Sequence, residues 1–529
     1  MTHVITQPCC NDAVCAEVCP VDCIRPRPGD PEYLTAETLY IDPSTCIDCG
    51  ACTDVCPVDA ITPDDALDAA GRLSLHASVE WFDHHPLRPR PSPARARPVA
   101  GDGELRVAIV GTGASGYYAA EEILDRTGGR ARVSLFDSAP TPGGLIRYGV
   151  APDHAHTKAF ALGLDRLARR PGVTLHLNVE IGVHLSAAEL LAHHHAVVHA
   201  GGAAGDRSLG IPGEDLPGSH PAGELVRWYN GHPAFVDLPV DLSGERAVVI
   251  GTGNVALDVA RILTTDPDVM ARTDIAAPAL ATLRASRIRE VHVVGRRGPA
   301  DAAFTTPELL ALGRLDGVTV SVPPDEAGTT ATGDLIRDRK AAIIAEYATR
   351  AAGGDRRIVL RFGRSPVEIL GPDAVTGLRL SAPDGSGEDL SCTLVVTAIG
   401  HRGIPVPGLP FDDRRAVVPS DGGRVNGAPG HYVVGWLRRG PTGGIGRSRL
   451  CAEETVDRLL ADHLAGLLPE PTHAPAELDA LLRERRPERI GLAGWRAIDR
   501  HEQLAGRAVG ASRRKVLSVD EAVRIAAGG

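Results

Sequence analysis

Three cysteines at intervals of three, Cys46, Cys49 and Cys52, are followed four positions later by Cys56-Pro57. That spacing is chemistry for iron. A tight loop can turn three thiolates onto the corners of one iron–sulfur cube, while the fourth points away towards a second. A matching half lies upstream in Cys9, Cys15 and Cys19-Pro20. Cys9 and Cys15 have the same separation as Cys46 and Cys52, so the middle ligand position falls on Asp12. A carboxylate is a harder and weaker ligand for iron than a thiolate. The expectation is one [4Fe-4S] and one [3Fe-4S] cluster. A second [4Fe-4S] held through Asp12 is the competing state, and a solvated, non-ligating Asp12 the plainest alternative. Cys10 and Cys23 fall outside both sets and read as packed free thiols.

Other uses of cysteine fit less well. A structural zinc site takes four ligands in two pairs and would leave several of the nine N-terminal cysteines idle. Disulfides suit small secreted domains, and no basic start followed by an apolar run marks an export signal. Thiolate ligands point to a reducing cytosol, so a cytoplasmic location is expected. Cys392 and Cys451 stand alone and read as core thiols.

Charge is unevenly placed. Residues 1–70 hold thirteen Asp and Glu against Arg25 and Arg27, a net of −11 that equals the charge of the whole chain. An acidic electron carrier of this kind is steered to basic surface. The total is acidic and no basic stripe stands out, which argues against a nucleic-acid partner. No run of about 18 uncharged apolar residues occurs, so no membrane span is expected. With 529 residues, 43% of them hydrophobic, the chain should hold several globular domains.

The elements that must serve these thiolates follow in order. Residues 1–65 form the cysteine module, with short strands near Val4-Ile5 and Tyr40-Ile41 and short helices after the cysteine runs. Residues 66–104 read as a helical tail over 66–82 and then, over 83–104, a proline- and arginine-rich semi-rigid linker. Leu105 opens a buried strand, Arg106 to Val110, that runs into Gly111-Thr112-Gly113-Ala114-Ser115-Gly116 and a helix. The next strand ends in Asp137. Such glycines let backbone approach a pyrophosphate, the helix N-terminus adds positive potential, and the acid holds ribose hydroxyls. A run of His193-His194-His195 precedes a strand, Ala196 to His199, and lacks the companion ligands a metal would need. The glycine pattern then recurs: a strand, Gly251-Thr252-Gly253-Asn254-Val255-Ala256, and a helix. Here the following strand ends in Gly295-Arg296-Arg297. Two guanidiniums suit a 2′-phosphate, which points to NADP(H) over NAD(H). The acid of the first unit fits FAD.

Longer motifs carry a resemblance. Gly143-Gly-Leu145-Ile-Arg-Tyr-Gly-Val-Ala-Pro-Asp-His154, Ile211-Pro-Gly-Glu-Asp-Leu-Pro-Gly, Ala303-Phe-Thr-Thr-Pro-Glu308 and Gly435-Trp436-Leu-Arg-Arg-Gly-Pro-Thr-Gly443-Gly-Ile-Gly446 resemble the adrenodoxin-reductase type of ferredoxin–NADP reductase. Residues 1–65 resemble seven-iron bacterial ferredoxins, and the whole chain resembles the mycobacterial-type fusion of the two. The ferredoxin likeness implies crossed ligation, Cys46, Cys49 and Cys52 with Cys19, and Cys9 and Cys15 with Cys56. The reductase likeness implies FAD contacts at Gly111, Gly113, Ala114, Ser115, Asp137, Leu145, Ile181, Trp436, Gly443, Gly444 and Ile445. It implies NADP(H) contacts at Arg207, Gly253, Asn254, Val255, Arg296, Arg297 and Glu308. His154 and Glu308 resemble the catalytic pair lining the nicotinamide pocket.

The implied fold is α/β: a small α+β ferredoxin domain before two Rossmann-like domains. The FAD domain would be split, 105–207 and 398–468, around an NADP domain at 208–397, with 469–529 as a helical packing segment. The implied activity is that of an NADPH-dependent, reversible ferredoxin reductase, expected as a monomer. It would pass electrons to its own ferredoxin domain and to an external ferredoxin or oxygenase. Two other readings are an electron-input subunit of a larger oxidoreductase and a redox-sensing interaction module.

Overall fold

A computed structural model of the chain describes residues 2–87, 104–328, 332–350 and 353–528. Most of the expected proline- and arginine-rich linker lies outside the described residues.

The cysteine module is built twice over. Cys19-Pro20-Val21-Asp22 reappears as Cys56-Pro57-Val58-Asp59, thirty-seven residues on. The backbone repeats at the same offset: Asn11, Ala13 and Asp22 take left-handed φ of 56°, 59° and 54°, and Asp48, Gly50 and Asp59 take 56°, 72° and 49°. Helices Val14–Val18 and Ala51–Val55 each start from one of these left-handed turns. Antiparallel pairs His3–Ile5 with Ile61–Pro63 and Ile24–Arg25 with Tyr40–Ile41 close the module. A helix, Ala69–His84, begins at an Asp68 cap that accepts from the Gly71 N–H at 2.7 Å. It folds back on the module through Trp81, which stacks on Tyr40 at 5.3 Å.

Two largely parallel sheets follow. Strands Arg106–Val110, Arg132–Asp137, Val173–Leu177, Ala196–His199 and His431–Val433 run parallel in the first. Short antiparallel strands, Ser420–Asp421 and Arg424–Val425, extend it at one edge. Strands Ser219–Pro221, Leu394–Thr397, Arg246–Ile250, Glu290–Gly295, Arg356–Phe362 and Val318–Ser321 form the second. Strands covered on both faces need continuous apolar runs, and Val107-Ala108-Ile109 and Ala247-Val248-Val249 are wholly buried. The second sheet's strands all fall in sequence between Ala196–His199 and Ser420–Asp421 of the first, so one unit is an insertion in the other.

The C-terminal helices Pro475–Arg485, Leu492–Arg507 and Val519–Ala527 pack back on the first unit. Trp495, Ile498 and Ala522 join its core, and Leu177 and Ile490 exchange backbone hydrogen bonds at 2.9 and 3.0 Å. Lys515, from the same tail, and Lys158, from the first unit, both lie 2.9 Å from Asp274 in the inserted unit. This largely buried clasp ties three segments together. No described helix is long and apolar enough to cross a membrane.

Candidate functional site

The first glycine turn follows directly from strand Arg106–Val110. Gly111 has φ +112°, and a Cβ there would sit 2.5 Å from the Ala200 carbonyl oxygen. Only glycine fits. A Cβ on Gly116 would fall 2.0 Å from the Gly111 oxygen, so the helix Ala114–Arg126 can approach the turn only without a side chain there. Gly113 is different: nothing lies within 4 Å of its would-be Cβ. That open space beside a helix N-terminus fits a pyrophosphate. Asp137 closes the next strand and accepts from the Thr112 N–H at 2.9 Å, the Thr112 hydroxyl at 2.5 Å and the Ala139 N–H at 3.0 Å. Burial pushes its carboxyl up, and these three donors oppose the rise.

Several residues implied for FAD gather on this turn. A Cβ on Gly144 would lie 3.2 Å from the Gly113 Cα, which brings the short helix Leu145–Tyr148 alongside, with Leu145 exposed. Gly435 reaches Ser115 so closely that a Cβ would lie 2.1 Å from its hydroxyl oxygen. Trp436 follows, donates from Nε1 to the Gly443 oxygen at 3.1 Å and stacks on His401 at 5.8 Å. Gly444 is open, and Ile445 starts the helix Ile445–Leu464. Ile181 packs instead with the Ala108, Phe136 and Val197 cluster.

The second turn repeats the design. Gly251, at φ +133°, could not carry a Cβ, which would meet the Ala398 oxygen at 2.2 Å, while Gly253 is open. Ala256, in place of a third glycine, is fully buried, and Val255 packs on the same core. The Asn254 carboxamide oxygen accepts from the Thr305 N–H at 2.8 Å, fixing the loop that leads to the helix Thr306–Leu312. Arg296 and Arg297 are exposed at the end of strand Glu290–Gly295. Neither guanidinium has a hydrogen-bond or ion-pair partner among the described residues, which suits them to a phosphate. Arg207 donates from Nε to the oxygen of His401, the residue stacked on Trp436, at 3.3 Å.

His154 and Glu308, far apart in sequence, meet. His154 Nε2 stands 3.9 Å from Glu308 Oε2 and 3.9 Å from Asp258 Oδ1. Asp258 and Asp153 both pair with Arg261. Burial pushes the Glu308 carboxyl up and Asp258 adds to the rise, while His154, Arg261 and Gln7 oppose it. No motif in the sequence marks Asp258 and Arg261. Their signal was one turn of spacing on the helix Asn254–Thr264, on the side that faces His154.

The thiolates also group. Cys19, Cys46, Cys49 and Cys52 line one cavity, together with Cys23, Ile24 and Ile41. Those four could hold one cluster, and Cys23 Sγ sits 3.4 Å from Cys19 Sγ. Burial drives the Cys15 thiol well up, and nearby Cys9, Asp12, Cys56 and Cys52 push it further. A metal group would hold these sulfurs as thiolates, its positive charge offsetting the cost of burying them. Asp12 is buried, not solvated: its carboxylate accepts from the Tyr118 hydroxyl at 3.2 Å, and Arg449 donates to its backbone oxygen at 3.0 Å.

Those partners belong to the nucleotide-binding part, so Asp12 sits at an interface. Gly446 donates its N–H to the Cys10 oxygen at 2.9 Å, and a Cβ there would lie 2.0 Å from the Asn11 oxygen. The bare backbone at Gly446 therefore admits the cysteine loop. Arg449 pairs with Glu17, Lys340 with Glu37 and Arg339 with Glu80. The acidic module meets basic side chains, as its charge led one to expect.

Fold and site together define an oxidoreductase of the two-nucleotide reductase class, joined to an iron–sulfur module. Residues 39–62 match the 4Fe-4S binding domain family and residues 109–164 the NAD(P)-binding Rossmann-like domain family. The chain is 46% identical over 548 aligned positions to a probable ferredoxin/ferredoxin–NADP reductase of Mycobacterium tuberculosis, covering 98% of this chain and 94% of that protein. It is 38% identical to the mitochondrial NADPH:adrenodoxin oxidoreductase of Arabidopsis thaliana, across 80% of this chain and 95% of that one. Among solved structures, Mycobacterium tuberculosis FprA in complex with NADPH superposes with a TM-score of 0.78 at 42% identity, covering 80% of this chain and all of that one. The chain belongs to the ferredoxin/ferredoxin–NADP reductase family.

Proposed function

We propose that this chain takes a hydride from NADPH and passes single electrons through its own iron–sulfur module to an external acceptor. One observation carries the reading: the cysteine module rests on the helix that bears Glu308, opposite His154. Gln7 donates to Glu308 at 2.9 Å, and Glu37 accepts from the Thr306 N–H at 2.7 Å. Donor site and acceptor module are thereby held in one body.

In this reading Arg296 and Arg297 grip the 2′-phosphate, and the open Gly253 turn receives the pyrophosphate. Glu308 and His154 hold the nicotinamide carboxamide. Gly113, Ser115, Asp137 and the Gly443-Gly444-Ile445 turn receive the flavin nucleotide. Bound FAD would supply the conversion between hydride and single-electron chemistry, and the clusters would take electrons singly. The module is assigned one [4Fe-4S] cluster on Cys19, Cys46, Cys49 and Cys52, and one [3Fe-4S] cluster on Cys9, Cys15 and Cys56. In this reading Asp12, whose carboxylate accepts from the Tyr118 hydroxyl, stays off the iron. A reducing compartment suits these thiolates, and we place the protein in the cytoplasm as a monomer.

Anaerobic addition of NADPH should bleach the flavin band and then the cluster absorbance. An unbleached flavin, or equal bleaching by NADH, would refute the reading. Low-temperature EPR of the isolated protein should give a [3Fe-4S] signal; a second [4Fe-4S] would overturn that cluster assignment alone.

A further inference from the structure

His154 and Glu308 belong to motifs of the nucleotide-binding part, but the residue that holds Glu308 does not. Gln7 lies in the cysteine module, just past the end of strand His3–Ile5. Its Nε2 donates to Glu308 Oε1 at 2.9 Å. The other oxygen, Oε2, is turned towards His154 Nε2, 3.9 Å away. The charged groups facing this carboxylate are His154, Asp258 and Arg261, and Arg261 is already paired to Asp153 and Asp258. Among the described residues Gln7 is the one hydrogen-bond donor to Glu308.

The same module fixes the element on which Glu308 rides. Glu37 caps the start of helix Thr306–Leu312 by accepting from the Thr306 N–H at 2.7 Å, and it is itself held by Lys340 at 2.5 Å. Gln7 and Glu37 therefore grip one helical turn from two sides. A carboxylate with a single anchored oxygen keeps its rotamer and leaves the other oxygen aimed. Without the anchor the side chain is free to leave that rotamer.

We propose that Gln7 is a positioning residue of the nicotinamide pocket, supplied by the iron–sulfur module. Its carboxamide fixes Glu308 Oε1 and leaves Oε2, beside His154, to accept the carboxamide N–H of a nicotinamide nucleotide. In this chain the nucleotide site then gains that anchor only with the module docked. By linkage, bound nucleotide strengthens docking as much as docking strengthens binding. The inference rests on the NADPH reading above.

The test uses the full-length holoprotein and NADP+ titrated by calorimetry, with flavin reduction by NADPH followed across pH. Gln7→Leu should weaken NADP+ about tenfold, the worth of one hydrogen bond to a charged group. It should also move the acid limb of the NADPH dependence to higher pH, because Glu308 loses a donor that favours its anion. Gln7→Lys, which restores a donor, should recover most of the affinity. Arg339→Gln removes an ion pair elsewhere on the same interface and should change neither readout. Unchanged affinity in Gln7→Leu, or an equal loss in Arg339→Gln, overturns the proposal. Wild-type protein that fails to bind NADP+ would instead refute the NADPH reading itself.

Discussion

The two glycine turns share a backbone and differ in what stands at the end of the next strand. In the first, Asp137 is tied back to Thr112 through both the N–H and the hydroxyl. In the second, Arg296 and Arg297 reach into solvent with no partner among the described residues. The first also needs a glycine where the second has Ala256. The same scaffold is thus specialised by a few side chains beyond it. An acid whose neighbours are fixed suits a nucleotide that stays, and two open guanidiniums suit one that exchanges.

Gly113 and Gly253, open at the same place in both turns, carry the largest expected effects. Gly113→Val should abolish FAD retention, read as loss of the flavin's visible absorption, because its side chain fills the space open to pyrophosphate. The fold should persist, since the residue has an ordinary φ of −71° and no neighbour within 4 Å of its would-be Cβ. Gly253→Val should spare the flavin and abolish NADP+ binding. A Gly113→Val protein that keeps its flavin would remove the first unit from the account.

Next in size is the clasp that joins the units. Asp274 is mostly buried between Lys158 and Lys515; burial would raise its carboxyl, but the two ammoniums hold it far below the ordinary range. Burial lowers both lysines, Lys515 the more. Asp274→Asn leaves buried charge unpaired and should cost about 3–5 kcal/mol in denaturant unfolding. A carboxyl depressed in the folded state contributes its stability above the unfolded value, near 4, and loses it as pH falls towards the folded value. The gap between wild type and Asp274→Asn should therefore narrow below about pH 4. A gap that widens there would contradict the charge assignment.

Arg296→Glu with Arg297→Glu should lower the preference for NADPH over NADH, as a ratio of kcat/KM, by about 10²-fold, the loss of two charge-assisted contacts. The smallest effect separates the third positions. Ala256→Gly should cost about 1 kcal/mol of helix stability and leave NADP+ affinity unchanged. Gly116→Ala, in the first unit, should instead disturb flavin binding, because its Cβ would strike the Gly111 carbonyl.

Much of the molecule was legible because spacing encodes it. Cysteine intervals, glycine turns with a strand before and a helix after, and the strand-end residues Asp137 and Arg296 all lie within short windows. Helix Ala69–His84 and strand Ala196–His199 were visible in the same way. The doubling of the cysteine module is also written in the chain, and it places Asp12 where Cys49 stands in the second half. What stayed hidden depends on contacts between distant segments. Spacing gives Gln7 and Tyr118 no role, and it shows Gly446 only as the last residue of the motif that starts at Gly435. Their roles exist only once the module is docked. Lys158, Lys515 and Asp274 are three ordinary charges until the fold buries them together.

The proposed function requires that nucleotide, flavin and iron–sulfur module form one electron path within a single chain. The most direct measurement mixes anaerobic holoprotein with one equivalent of NADPH and follows flavin absorbance and freeze-quenched EPR on the same sample. Flavin reduction followed by reduction of the clusters in the absence of any added carrier is the predicted result. Clusters that stay oxidised beside a reduced flavin would contradict it.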